Sequence, residues 1–155
     1  MSELQPLRLG LLGLGTVGAG TVRVLHDNAE SIGQRAGRAL EVVAAAVRDS
    51  SQPRDCQLAG MRLETDPLAV ATAADVDVVV ELIGGTTLAR ELVLAALAAG
   101  KPVVTANKAL IAEHGPEIFA AARAAGQTLA FEAAVAGGIP IIKAVRDGLA
   151  GNQIS

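Results

Sequence analysis

Three glycines, Gly13, Gly15 and Gly18, sit between the apolar run Leu7 to Leu12 and a segment with helical spacing. They match G-x-G-x-x-G, a weak signal alone in a chain with 17 glycines. Its setting, after a first strand and at the opening of a helix, gives it meaning. Gly13 permits a tight turn. Gly15 lets backbone approach a pyrophosphate, and Gly18 lets the helix pack on the strand. The N–H groups and positive dipole end of that helix then suit phosphate. The alternative is a plain tight turn.

The rest of the 155 residues alternates in the same way. Thr16 to about Asn28 reads as a helix. "SIGQRAGRAL" reads as a basic connection containing Gly33 and Gly37, followed by a buried strand at 40–47. A loop leads to a short helix with Asp66 as cap and Pro67 at its first position. Residues 76–83 form a Val-rich third strand. The next helix is capped by Thr86 or Thr87 and closed by Gly100. "KPVVTA" is a fourth strand, "GPEIFAAARAAG" a helix closed by Gly126, and "QTLAFEAAV" a fifth strand. "GGIPIIKAVRDGLAG" turns into a last helix, and "NQIS" looks like the start of another element. Apolar strands alternating with helices predict an α/β fold of the Rossmann type. Its sheet is doubly wound and mostly parallel, with helices on both faces. The length predicts one domain over 1–155, and the final residues suggest a piece of something longer.

Composition narrows the classes. Apolar residues make up 51 %, but aromatics only 1 %, so the core is aliphatic. A net charge of −3 offers no basic surface for nucleic acid. Phe119 and Phe131 alone make no RNA-stacking platform. The single Cys56 excludes an internal disulfide, and His26 and His114 form no zinc pattern. Neither a signal core nor a membrane-length apolar run is present, which predicts a soluble, cytoplasmic protein without a membrane partner.

In such sheets ligands lie at the carboxyl ends of strands. The second strand ends at Arg48 and Asp49. Arg48 would hold the 2′-phosphate of NADP and Asp49 the ribose of NAD, and Arg48, directly after the apolar run, favours NADP. Ser50 and Ser51 could add hydroxyl donors. Lys108 follows the fourth strand near where a nicotinamide would lie, able to protonate or orient a carbonyl. The bland alternative is a surface lysine at a helix start. His114 reads as a helix-end or loop histidine, and Cys56 as incidental. Glu81 lies within a Val-rich strand and needs partners. Glu132 follows Phe131 in an apolar strand, where glycine-rich backbone suits a hard cation.

The segments "GLGTVG", "AVRD", "VVELIGG", "VVTANKALIAEHG" and "FEAAVAGGIPIIKAVRDGLAGN", in this order, resemble homoserine dehydrogenase. "TANKALIA" and "EAAVAGGIPII" are the most specific. The resemblance implies an NAD(P)-dependent oxidoreductase interconverting aspartate 4-semialdehyde and homoserine, on the branch to threonine, methionine and isoleucine. It implies that Gly13, Gly15, Thr16, Val17 and Gly18 hold the cofactor and that Arg48 meets the NADP phosphate. Thr105 would lie near the cofactor, and Lys108 beside nicotinamide and substrate, with a part in catalysis. It also implies a sodium ion at the pattern E-x-x-V-x-G-x-I, here Glu132, Val135, Gly137 and Ile139, bound largely by main-chain oxygens. Family enzymes continue into a catalytic and dimerisation region, so a homodimer or homotetramer is implied, and the isolated piece is expected to bind cofactor with little or no turnover. Sugar and inositol dehydrogenases, which carry a Glu-Lys-Pro turn, fit less well because "TANKAL" has no following proline. A non-catalytic nucleotide-sensing module would need the glycine loop but not Lys108.

Overall fold

The computed structural model describes residues 4–135. β1 (Leu7–Leu12) leads through α1 (Thr16–Asp27) and α2 (Ala29–Ala36) to β2 (Leu40–Ala46) and the short β3 (Arg62–Glu64). Then follow α3 (Pro67–Ala71), β4 (Val78–Glu81), α4 (Thr87–Ala98), β5 (Val103–Thr105), α5 (Lys108–Ala124) and β6 (Leu129–Ala130). The strands form one sheet in the order β3-β2-β1-β4-β5-β6, and every neighbouring pair is parallel. The predicted doubly wound α/β fold is therefore found. The chain winds outward from β1 on one side, then returns to β4 and winds the other way.

Strand residues alternate between two cores, as a period of two requires. Leu9, Leu11 and Ala45 pack with Leu14, Val22 and Val47 on the α1 side. Leu12, Ala44, Ala46 and Val79 pack on the other side with Val93, Leu97, Leu110 and Ile118. Both faces are covered, which is why β1, β2 and β4 read as mostly apolar runs. Fully burying each of these Leu, Val and Ile side chains contributes about 1.5–3 kcal/mol, and each Ala less. Asp66 caps α3 as expected, accepting from the Leu68 amide at 2.9 Å.

Several expected boundaries move. "SIGQRAGRAL" contains most of α2, which stops at Gly37. None of its residues is buried and Ile32 is its one large apolar side chain, so little in the sequence marks it as a packed helix. α5 begins at Lys108, not Gly115, and runs through Pro116. Burial of Leu110 and Ile118 on one face outweighs the Gly-Pro breaker. The third strand is shorter than 76–83, and β3 was not anticipated because three residues with charges at both ends carry almost no strand signal. The fifth predicted strand shrinks to β6, and Glu132 lies instead in a 3-10 turn, Glu132–Ala134. Neither Thr86 nor Thr87 gives α4 a side-chain cap. The last predicted helix and "NQIS" lie outside the described residues. Among those described, no helix is long and apolar enough to cross a membrane.

At the amino-terminal edge of the sheet Arg8 grips Asp77, joining β1 to the entrance of β4. The guanidinium donates at 3.0 and 2.7 Å, and the Arg8 amide adds a third bond at 2.9 Å. The side-chain bond from Arg8 holds the Asp77 carboxyl down at about 2, against an ordinary 3.8. A lowered folded-state value means the stabilisation is whole above the ordinary value and is lost as pH falls through the folded one. Asp77→Asn is therefore expected to flatten the acid limb of stability between about pH 4 and about pH 2. Denaturant unfolding across that range measures it, and an unchanged limb would refute it.

Candidate functional site

The oppositely wound halves part between β1 and β4, leaving a crevice at the carboxyl edge of the sheet. The turn after β1 enters it. Gly13 has φ 105°, which a side chain would strain, and its amide donates to the Ala46 carbonyl at 3.2 Å. The Leu82 amide donates to the Leu12 carbonyl at 2.9 Å, fixing the β4 exit beside the same turn. A Cβ on Gly18 would stand 2.3 Å from the Gly13 carbonyl oxygen, so only glycine admits this approach of α1. A Cβ on Gly15 would meet nothing within 4 Å. Gly15 is also the N-cap of α1, with no side-chain cap and no acid in the first turn. The first amides, at Thr16, Val17 and Gly18, thus have no intrahelical acceptor and end in the positive pole of the helix.

The β4 and β5 exits complete the crevice. Glu81, the last residue of β4, is wholly buried. One carboxylate oxygen accepts from the amides of Ile83 and Gly84 at 3.0 and 3.2 Å. The other accepts from the Thr105 hydroxyl at 2.6 Å. Thr105 Oγ1 in turn accepts from the Asn107 amide at 3.0 Å. Asn107 caps α5 by accepting from the Leu110 amide at 3.1 Å, and its Nδ2 donates to the Gly85 carbonyl at 2.7 Å. A cleft of about 240 Å³ lies here, lined by Val17, Glu81, Leu82, Gly84, Asn107 and Lys108 among others. Lys108 is exposed at its rim, with no ion pair among the described residues.

Arg48 leaves β2 at the same edge, exposed and without a hydrogen bond among the described residues. Asp49 is occupied: its Oδ1 accepts from the Ser51 amide at 2.9 Å and the Ser51 hydroxyl at 2.7 Å. The hydroxyl bond from Ser51 lowers its pKa. The Ser51 hydroxyl, expected as a free donor, is thus already used. Burial pushes the Cys56 thiol up, the reverse of what a nucleophile needs. His114 sits in the middle of α5, not in a loop or at a helix end, 3.8 Å from Glu113.

The expected site residues Gly13, Gly15, Thr16, Val17, Gly18, Arg48 and Lys108 therefore share one edge of the sheet. Thr105 comes to the same edge, but its hydroxyl is turned to Glu81 and Asn107 beneath the cleft. Glu132 and Val135 follow β6, while Gly137 and Ile139 lie outside the described residues. The Glu132 Oε2 atom is buried with no hydrogen-bond partner among the described residues. No group of three or more His, Cys, Asp or Glu that could hold a metal occurs among those residues. Asn107 was not singled out in the sequence; an Asn three residues before an apolar helix position was its available signal. A larger cleft of about 800 Å³ opens around Arg8, Arg38, Glu41 and Asp77. It lies at the opposite edge, where sheets of this order do not hold their ligands, and Arg8 and Asp77 there are already paired.

A glycine turn pressed against an uncapped helix, at the switch point of this strand order, defines a dinucleotide-binding domain. The family model of the homoserine dehydrogenase NAD-binding domain matches residues 13–132, and the chain belongs to that family. It is 57 % identical over 152 residues to the homoserine dehydrogenase of Pseudomonas aeruginosa, covering 98 % of this chain and 35 % of that one. The Neisseria gonorrhoeae enzyme is 51 % identical, with 97 % and 34 % covered. A crystal structure of a homoserine dehydrogenase from Thiobacillus denitrificans superimposes with a TM-score of 0.88 at 54 % identity, over 99 % of this chain and 36 % of that one. The chain thus spans about a third of the length of the relatives it matches.

The crowding at Gly18 and the open space at Gly20 set up a contrast on one helix. Gly18→Ala is expected to cost about 1–3 kcal/mol of unfolding free energy by overpacking. Gly20→Ala is expected to gain about 0.5–1 kcal/mol from helix propensity. Urea unfolding of both variants decides the point, and equal effects would contradict it.

Proposed function

We propose that this chain is the cofactor-binding domain of a longer homoserine dehydrogenase, interconverting L-aspartate 4-semialdehyde and L-homoserine with NAD(P)H. The observation that carries this reading is the bare amino end of α1 beneath Gly15, open to a cleft rimmed by Lys108. Gly13, Gly15, Thr16, Val17 and Gly18 would cradle the pyrophosphate with backbone amides. NADP is the preferred form. Arg48 is a guanidinium at the β2 exit without a partner among the described residues, suited to a bidentate grip on the 2′-phosphate, while the Asp49 carboxylate serves its own turn.

A bound nicotinamide supplies the hydride. The chain's own contribution is the Lys108 ammonium, whose Nζ donates a proton to the semialdehyde carbonyl oxygen as negative charge grows there. In the reverse direction neutral Nζ takes the hydroxyl proton from homoserine. Thr105 belongs to the same site as a support of its floor. A sodium ion is proposed at Glu132, Val135, Gly137 and Ile139. Its support is the buried Glu132 oxygen, which has no hydrogen-bond partner among the described residues, a hard donor whose single negative charge suits a monovalent cation when backbone carbonyls complete the set. The substrate's remaining contacts, a homodimeric or homotetrameric assembly and a cytoplasmic setting in threonine, methionine and isoleucine synthesis belong to the whole enzyme and rest on the family.

Calorimetric titration with NADPH and NADH tests the reading. NADPH is expected to bind about tenfold or more tightly, the worth of a charge-assisted phosphate contact. Arg48→Ala should bring NADPH down to the NADH value and leave NADH unchanged. Gly15→Ala, whose backbone any residue can adopt, should keep the fold yet weaken both cofactors. Failure of the full-length enzyme to bind either cofactor would overturn the assignment.

A further inference from the structure

Glu81 is a carboxylate buried inside the sheet, where an apolar side chain would suit the surroundings better. Among the described residues it has no cationic partner. All three of its bonds come from neutral donors: the Ile83 and Gly84 amides of the loop after β4, and the Thr105 hydroxyl at the end of β5. Its tie to Thr105 crosses from β4 to β5 at 2.6 Å, the short distance of a charge-assisted bond. From Thr105 the chain of bonds continues to the Asn107 amide, and Asn107 ties back to Gly85. The result is a closed ring, Glu81 to Thr105 to Asn107 to Gly85, joining the exits of two strands. Lys108 is the next residue after Asn107 and the first of α5. A lysine reaches its target through a flexible four-carbon stem, so the placement of its backbone sets where the ammonium can go.

We infer that Glu81 and Thr105 are positioning residues for Lys108: the buried carboxylate clamps the β5 exit to the β4 exit and fixes the start of α5 at the cleft rim. The inference rests on the reading of Lys108 given above. It assigns Thr105 to alignment and not to holding the cofactor with its hydroxyl. Such a clamp acts on the rate, because small misplacements of a reacting group are costly while the binding surface stays intact.

The test uses Thr105→Val, which keeps the side-chain shape and deletes the bond to Glu81, and Thr105→Ser, which keeps the hydroxyl. Asn107→Asp is the second route: it keeps the α5 cap but replaces the donor to Gly85. Lys108→Ala is made alongside, all in the full-length enzyme. Thr105→Val and Asn107→Asp are expected to lower kcat about tenfold to a hundredfold. KM for homoserine and the Kd for NADPH should stay within about threefold, marking loss in the transition state only. Thr105→Ser should restore most of kcat. Wild-type kcat in Thr105→Val beside a dead Lys108→Ala overturns the clamp and spares the reading of Lys108. Full rate in Lys108→Ala overturns both. Equal loss of NADPH binding and rate, not rescued by serine, makes Thr105 a merely structural residue and overturns the clamp. If Thr105→Val does not fold, Asn107→Asp decides: a kcat loss at constant Kd supports the clamp, and unchanged kcat refutes it.

Discussion

The approach of α1 to the turn after β1 is the contact on which the rest of the structure depends. Gly18 comes so near the Gly13 carbonyl that no side chain fits between them. The helix therefore starts directly over the gap where β1 and β4 part, and its amides stay bare because Gly15 offers no cap. A bulkier residue at either end of this contact would tilt the helix away and close the crevice with side chains. The bond from the Leu82 amide to Leu12 then locks the β4 exit to the same turn, so two walls of the site are fixed at one turn.

Much of this was legible in the sequence, and for a physical reason. β1, β2 and β4 are covered on both faces, so apart from Arg8, Glu41 and Glu81 toward their ends their residues are apolar and stand out as runs. At Gly13 and Gly18 the glycine spacing records a steric demand that no other residue meets. What stayed hidden was whatever gains its form from tertiary contacts. α2 buries no residue and has Ile32 as its one large apolar side chain. α5 passes Gly115 and Pro116 because Leu110 and Ile118 are held in the core. Glu81 was recognisable as an anomaly in a valine run. Its partners were not, because Thr105 lies 24 residues away and meets it only across paired strands. Lys108 and Arg48 could be found as residues from their positions after strands, but the occupation of Asp49 by Ser51 required the folded loop.

The charge distribution separates two roles that a net charge of −3 conceals. Arg48, Lys108 and the positive pole of α1 all gather at the carboxyl edge of the sheet, where an anionic dinucleotide would be drawn. Glu81, the carboxylate that lines the cleft beside Lys108, is shielded by neutral donors and held inside the sheet. An acidic chain thus presents a locally cationic rim, because the direction of its strands, and not its overall composition, decides which side chains reach that edge.

Phe119 and Phe131, the only aromatic residues in the chain, pack against each other with ring centroids 5.1 Å apart and planes inclined by 55°. Their meeting point joins α5 to the residue that precedes Glu132. With neither tryptophan nor tyrosine, the protein is nearly dark to near-ultraviolet light. A reduced nicotinamide would glow against almost no background, without energy transfer from the protein. In magnetic resonance, every phenyl signal would come from this one junction, so two rings would serve as a built-in reporter at the edge of the proposed cation loop.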